Sequence, residues 1–161
     1  MTYLPYPEPR YSGESGEASA TYRPDDTPAE IHRPNVSARY LATGALTDGQ
    51  LGLYRWEMGP GRGGPDPHFH RCITESFYVL SGAVELYDGR QWVEGSPGDF
   101  LYVPQGGVHG FRNVSGEPAS MLILFTPGAP REDYFERVHT VGEMSADDRD
   151  EFFDRHDTVW V

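Results

Sequence analysis

Between about residues 37 and 125 the apolar residues come in short runs rich in β-branched, aromatic and aliphatic side chains, and Gly, Pro or Asp-Gly cut each run off. The runs fall at 38–42, 51–58, 68–70, 75–80, 83–87, 91–93, 100–103, 108–114 and 119–125, and runs of this length and make-up predict strands. Asp88-Gly89 stands between two of them and tolerates the positive φ of a type I′ turn, which predicts a hairpin there. No helical period of useful length interrupts the series. Eight or nine short strands at this spacing predict an all-β sandwich or closed barrel and argue against a parallel α/β sheet.

Both ends of the chain depart from this pattern. Residues 1–35 hold six of the fourteen prolines, and proline fixes φ and removes a backbone donor, so neither helix nor central strand is supported there. Tyr3, Tyr6, Tyr11 and Tyr22 are more aromatics than a linker needs, and they predict an extended arm packed on its own barrel or a neighbour's. After Pro127 and Pro130, Tyr134, Phe135 and Val138 fall on one face of a helix over 131–139. Ser145 and Asp148 have the spacing of a capping box opening a second helix through Phe152 and Phe153. The expected organisation is an N-terminal arm (1–35), a β-barrel (36–127), and short C-terminal helices and tail (128–161) that cover one end of it.

Composition narrows the chemistry. With 37% hydrophobic residues among 161 the chain can build a packed interior. Its formal charge of −12 leaves no basic face for nucleic acid. All thirteen basic residues other than histidine are arginine, which excludes lysine Schiff-base chemistry. The single cysteine, Cys72, excludes an intrachain disulfide or a cysteine-based metal cluster and is expected as a small buried hydrophobe. No run approaches the roughly 18 apolar residues of a membrane helix, and no signal peptide is visible, so a cytoplasmic location without membrane contact is expected.

The strongest local feature is His68-Phe69-His70. Side chains at i and i+2 of a strand share a face, so both imidazoles can converge on one ion. Glu75 has the wrong parity to join them unless 71–74 contains a turn or bulge. His109 opens another strand after Val103-Pro104-Gln105-Gly106-Gly107. Three imidazoles and a carboxylate suit a divalent transition metal (Fe, Ni, Mn, Zn, Co or Cu) and suit calcium or magnesium poorly. His32, His139 and His156 read as ordinary surface or core histidines.

The spacing His68-x-His70-x₄-Glu75-x₆-Gly82 resembles the first motif of the cupin superfamily, and Gly98-x₅-Pro104-x-Gly106-x₂-His109-x₃-Asn113 resembles the second at every defined position. The first motif usually opens with Gly where this chain has Arg62. The resemblance implies a cupin-type antiparallel β-barrel, a double-stranded β-helix or jelly-roll, with one metal ion per chain inside its mouth. Carried over by position, His68, His70, Glu75 and His109 are its implied ligands, and Asn113 reads as a structural hydrogen-bonder.

Phe77 and Val79 share the parity of Glu75, and Phe111 that of His109, so these three are the expected walls of a substrate pocket. Tyr54, Trp56 and Tyr102 are further candidates without an assigned orientation. The expected function is an O2-dependent dioxygenase similar to the quercetinase-type cupins, acting on a small aromatic or enolisable substrate. Glu75 would be both ligand and catalytic base, its pKa raised by desolvation. The same ligands serve a non-oxidative cyclase, isomerase or decarboxylase, or a small-molecule binding module with a structural metal. A homodimer is the expected assembly, because cupins often pair through edge strands.

Overall fold

Strand β3 (Gly52–Met58) shows how the sequence becomes a barrel wall. Its burial alternates strictly, with Gly52, Tyr54, Trp56 and Met58 buried and Leu53, Arg55 and Glu57 partly exposed, because successive side chains leave a strand on opposite faces. In the computed structural model, which describes residues 3–61 and 63–161, β3 pairs antiparallel with β10 (Ala119–Thr126), setting Tyr54 opposite Ile123 and Trp56 opposite Met121. Strand β10 pairs on its other side with β5 (Thr74–Ser81). The six-stranded sheet is completed by β1 (Ile31–Arg33), β2 (Val36–Ala42) and β8 (Phe100–Val103), in the order β1-β2-β3-β10-β5-β8.

The facing layer is built from two pieces. Strand β6 (Val84–Tyr87) lies between β7 (Trp92–Gly95) and β9 (Gly110–Arg112), while β4 (His68–Phe69) pairs with β11 (Val159–Trp160). They meet where His68 and His109 exchange both backbone hydrogen bonds at 2.9 Å. Phe77, Val79, Val84, Met121 and Phe125 are completely buried between the layers. Each such side chain contributes about 1.5–3 kcal/mol on transfer from water.

Two helices and a 3-10 turn close one end. Helix α1 (Arg131–Arg137) turns Tyr134 and Phe135 inward, and the Phe135 ring meets Tyr54 edge-on at 5.1 Å. A 3-10 segment (Val138–Glu143) leads to α2 (Ala146–Arg155). There the Ser145 hydroxyl accepts from the Asp148 amide at 3.2 Å, the N-cap half of the expected box, and donates to the Asp148 carboxylate at 2.6 Å in place of the backbone bond that would complete it. No helix among the described residues is long and apolar enough to cross a membrane.

Four details depart from the sequence expectation. The hairpin at 88–91 is real, but its turn is centred on Gly89-Arg90 and only Gly89 has positive φ (90°). The Asp88 carboxylate instead accepts the amides of Arg90 and Gln91, a side-chain turn that removes any need for positive φ at Asp88. Regular structure begins inside the proline-rich segment, at Ile31. Tyr3, Tyr6 and Tyr22 are more than four-fifths exposed, so these rings do not pack on the barrel; the arm meets it instead through Arg23, whose Nε donates to the Tyr40 carbonyl at 3.1 Å, and through Asp25, which pairs with Arg55. The chain also ends in a strand, β11, which the helical reading of the tail left out; Arg62 lies outside the described residues.

Candidate metal centre

His68 and His109 face each other directly across the antiparallel pair that joins the two pieces of the second layer. Residues opposite one another in such a pair send their side chains to the same face, and their rings lie 4.4 Å apart between centroids. His70 follows two residues after His68 on the same face, and Glu75 reaches in from β5 of the opposing sheet. The parity problem at 71–74 is solved by a bend. The His70 carbonyl accepts from the Gly106 amide at 2.7 Å, and the Asp157 carboxylate accepts the amides of Arg71 (2.9 Å) and Cys72 (2.7 Å). Cys72 is therefore exposed, at the surface of this bend, rather than a buried hydrophobe.

Each imidazole gives its Nδ1 to a backbone carbonyl: His68 to Asp66 and His109 to Gly107, both at 2.9 Å, and His70 to Asp157. A carbonyl can only accept, so Nδ1 carries the proton and the Nε2 lone pair of each neutral ring is free for an ion. The Nε2 atoms of His70 and His109 lie 3.1 and 2.7 Å from Oε2 of Glu75, and one donor atom from each of the four residues falls within 4.8 Å of the others. Two ligands about 2.1 Å from one ion and at right angles stand about 3.0 Å apart, close to the spacing between Glu75 and each of these two histidines. Without a cation or an added proton, two buried acceptors would confront each other. The donor set and its geometry fit a divalent transition metal.

The electrostatics correct one expectation. Burial alone would push the Glu75 carboxyl up, but in the metal-free site an added proton on the imidazoles, His109 above all, charges them and lets Nε2 donate to the carboxylate, which holds it well below the usual carboxylate range. Glu75 is thus ionised rather than a carboxyl poised near neutrality. Burial and the neighbouring His109 push His68 down to about 3, so it stays neutral and able to coordinate. His109 is raised, because the attraction of Glu75 outweighs burial.

A cavity of about 430 Å3 opens onto His68 and Glu75. Trp56, Phe111, Phe135 and Trp160 supply much of its wall, a size and polarity suited to a small organic molecule. Of the three expected wall residues only Phe111 borders it. Phe77 and Val79 are fully buried in the core behind it, Phe77 with its ring 5.9 Å from that of His109. Tyr54 is also core, its hydroxyl donating to Glu132, and Tyr102 faces outward, 57% exposed. Asn113 is structural: it donates to the carbonyls of Gly59 and Glu117 and accepts from Ser115. His156 is buried, bonded to the Phe152 carbonyl and to Asp133.

Sequence reasoning missed the contribution of the C-terminus. Trp160 pairs with His68 in register and lays its ring 5.2 Å from the imidazole, and Asp157 holds both the bend and His70. The signal was present in Thr158-Val159-Trp160-Val161, a β-prone run after a helix. Arg131, which borders the same cavity, carried no signal beyond being one arginine at a helix start.

An antiparallel jelly-roll with three histidines and a glutamate converging between its layers defines a β-barrel protein equipped to hold a metal ion. Residues 54–125 match the cupin domain family. Over 128 residues it is 32% identical to quercetin 2,3-dioxygenase of Bacillus subtilis, a match spanning 80% of this chain and 34% of that enzyme. It thus spans about a third of that relative's length. It is 27% identical over 127 residues to the tetracenomycin polyketide synthase protein TcmJ of Streptomyces glaucescens, spanning 77% of this chain and 83% of TcmJ. Among solved structures KdgF from Halomonas sp. shares the fold, with a TM-score of 0.60 at 19% identity over 70% of this chain and 97% of KdgF.

Proposed function

We propose that this protein is a metal-dependent dioxygenase that uses O2 on a small aromatic or enolisable organic substrate. The observation that carries the reading is the aromatic cavity ending on His68 and Glu75, two of the four converging ligands. The likeness to a quercetin 2,3-dioxygenase supports the oxidative chemistry. A divalent transition metal held by His68, His70, Glu75 and His109 would supply Lewis acidity and the one-electron chemistry that dioxygen requires. The carbonyls of Asp66, Asp157 and Gly107 fix the three rings in the ligating tautomer. Trp56, Phe111 and Phe135 offer flat apolar faces for an aromatic body and keep water from the reacting end. Glu75, ionised and the one carboxylate bordering the cavity among the described residues, would accept the acidic proton of an enolisable substrate.

The test is oxygen consumption by protein loaded in turn with iron, manganese, nickel, cobalt and copper, against a panel of flavonols and β-diketones. Uptake of one O2 per substrate consumed, lost in Glu75→Gln, is expected. No uptake with any metal across the panel would refute the reading. A second reading, a non-oxidative cyclase or isomerase using the metal as a Lewis acid, is favoured by the match to most of the length of TcmJ. It predicts substrate conversion under argon by the zinc-loaded protein.

A further inference from the structure

Arg131 is the least accounted-for charge in the molecule. It is 3% exposed, and taking a cation out of water costs several kcal/mol unless an anion repays it. No carboxylate among the described residues forms an ion pair with its guanidinium. Its Nη1 donates to the His156 carbonyl at 2.6 Å, and its buried Nε has no partner. What surrounds it is aromatic: the guanidinium carbon lies 4.2, 5.2 and 5.7 Å from the ring centres of Tyr134, Phe125 and Phe135. Such faces ease the burial of a cation but leave its hydrogen-bonding donors unused.

The position of this charge gives it a use. Arg131 borders the same cavity as Glu75 and His68, and a second arginine, Arg33, borders it too. Arg33 is already committed through Nη2 to the carbonyls of Phe135 and Glu136 that end α1. In a chain of net charge −12, the cavity therefore gathers two arginines against one carboxylate, and that carboxylate is the one grouped with the histidines. An apolar, aromatic-walled cleft with a buried, under-used guanidinium is built for a ligand that is apolar over most of its body and carries an oxyanion.

We propose that Arg131 is the anion-recognition residue of the cavity, and that the substrate is an aromatic or otherwise apolar compound bearing a carboxylate or comparable fixed oxyanion. The inference rests on reading the cavity as the substrate site, but not on the chemistry performed there. Arg131 binds the anion, and in doing so it orients the substrate's apolar body along Trp56 and Phe111.

Binding of 2-naphthoate and 2-naphthamide, which share a shape and differ in charge, to the zinc-loaded full chain tests this by calorimetry. The wild type should prefer the carboxylate, and Arg131→Met should reduce that preference at least about tenfold while leaving the amide within about twofold. Arg131→Lys, which keeps the charge, should retain most of the preference. An unchanged preference in Arg131→Met would mean that the metal alone selects the anion and would overturn the proposal. Equal losses for both ligands would show a purely structural residue and would overturn it as well. If Arg131→Met does not fold, the wild type still decides: a protein that binds naphthamide as tightly as naphthoate has no anion site. Zinc-loaded protein consumes no oxygen in this experiment, so a failed dioxygenase assay leaves its outcome intact, and a failed charge preference leaves the dioxygenase reading standing.

Discussion

Removing the Asp157 side chain should loosen the metal centre from outside it. The residue grips the bend after His70 through three contacts: its carboxylate accepts the amides of Arg71 and Cys72 at 2.9 and 2.7 Å, and its own carbonyl accepts Nδ1 of His70. It does so from a left-handed backbone conformation, φ 50°, which Asn and Gly tolerate and Ala does not. A hydrogen bond to a charged acceptor contributes about 1.5–3 kcal/mol, and the lower figure applies because Arg71 and Cys72 are exposed and water can replace the carboxylate. Two such bonds make the side chain worth about 2–3 kcal/mol to the bend. If roughly half of that reaches the His70 ring, the metal is bound about tenfold less tightly, at the lower end of what outer-shell changes cost. Asp157→Gly isolates this effect without backbone strain. Asp157→Asn, which keeps an acceptor oxygen, should lose no more than about threefold. Asp157→Ala adds about 1 kcal/mol of strain and should show the lowest melting temperature. Competition for zinc against a chromophoric chelator reads the affinity, and thermal unfolding of the chelated protein reads the stability. An Asp157→Gly protein with a lowered melting temperature but zinc affinity within twofold of wild type would refute the reasoning, because the position of His70 would then owe nothing to this bend.

Other changes should give distinct outcomes. His70→Ala combined with His109→Ala should abolish metal binding, seen by elemental analysis of the purified protein, while leaving the β-rich circular dichroism spectrum intact. His68 resists protonation down to about pH 3 in the fold against 6.5 in the free side chain, so only the unfolded chain takes up that proton as pH falls, and chelated wild type should lose melting temperature between pH 6.5 and 4 faster than His68→Gln. Glu75, held low, acts in the same direction on acidification, whereas His109, held high, stabilises below its unfolded value and loses that contribution as pH rises. Thus parallel curves for wild type and His68→Gln would contradict the assignment of His68 as a buried neutral ring. Gly64→Ala should cost more than about 2 kcal/mol in urea denaturation, since its φ of 114° excludes a side chain and a Cβ there would strike the Phe111 carbonyl on the cavity wall.

What could be read from the sequence, and what could not, divides by the range of the interaction that decides it. The strands and the convergence of His68, His70, Glu75 and His109 were legible because strand period and ligand spacing are local and repetitive. Placing Glu75 opposite the histidines needed only a bend somewhere in 71–74. What holds that bend was not legible, because Asp157 lies 86 residues away from Arg71 and its role depends on the chain's last strand returning to β4. The parity argument that set Phe77 and Val79 beside Glu75 gave the correct face, but a shared face does not fix depth. The four converging side chains lie towards one end of the barrel, and residues further along β5 run into the packed core, where Gly95 crosses close to Val79. Phe111, by contrast, borders the cavity beside Gly64 and Pro65, which line it too. The raised pKa expected for Glu75 failed for a related reason: desolvation is a property of one residue, whereas the charges that outweigh it arrive with His109 and His70, partners that only the fold supplies. Arg131 is the same case in reverse. A charge at the start of a helix reads as solvent-exposed, and it became an interior group because α1 turns across the open end of the barrel and carries it inside. The four converging side chains could thus be found by motif, whereas the residues that border the cavity beside them come in part from the segment that covers that end of the fold.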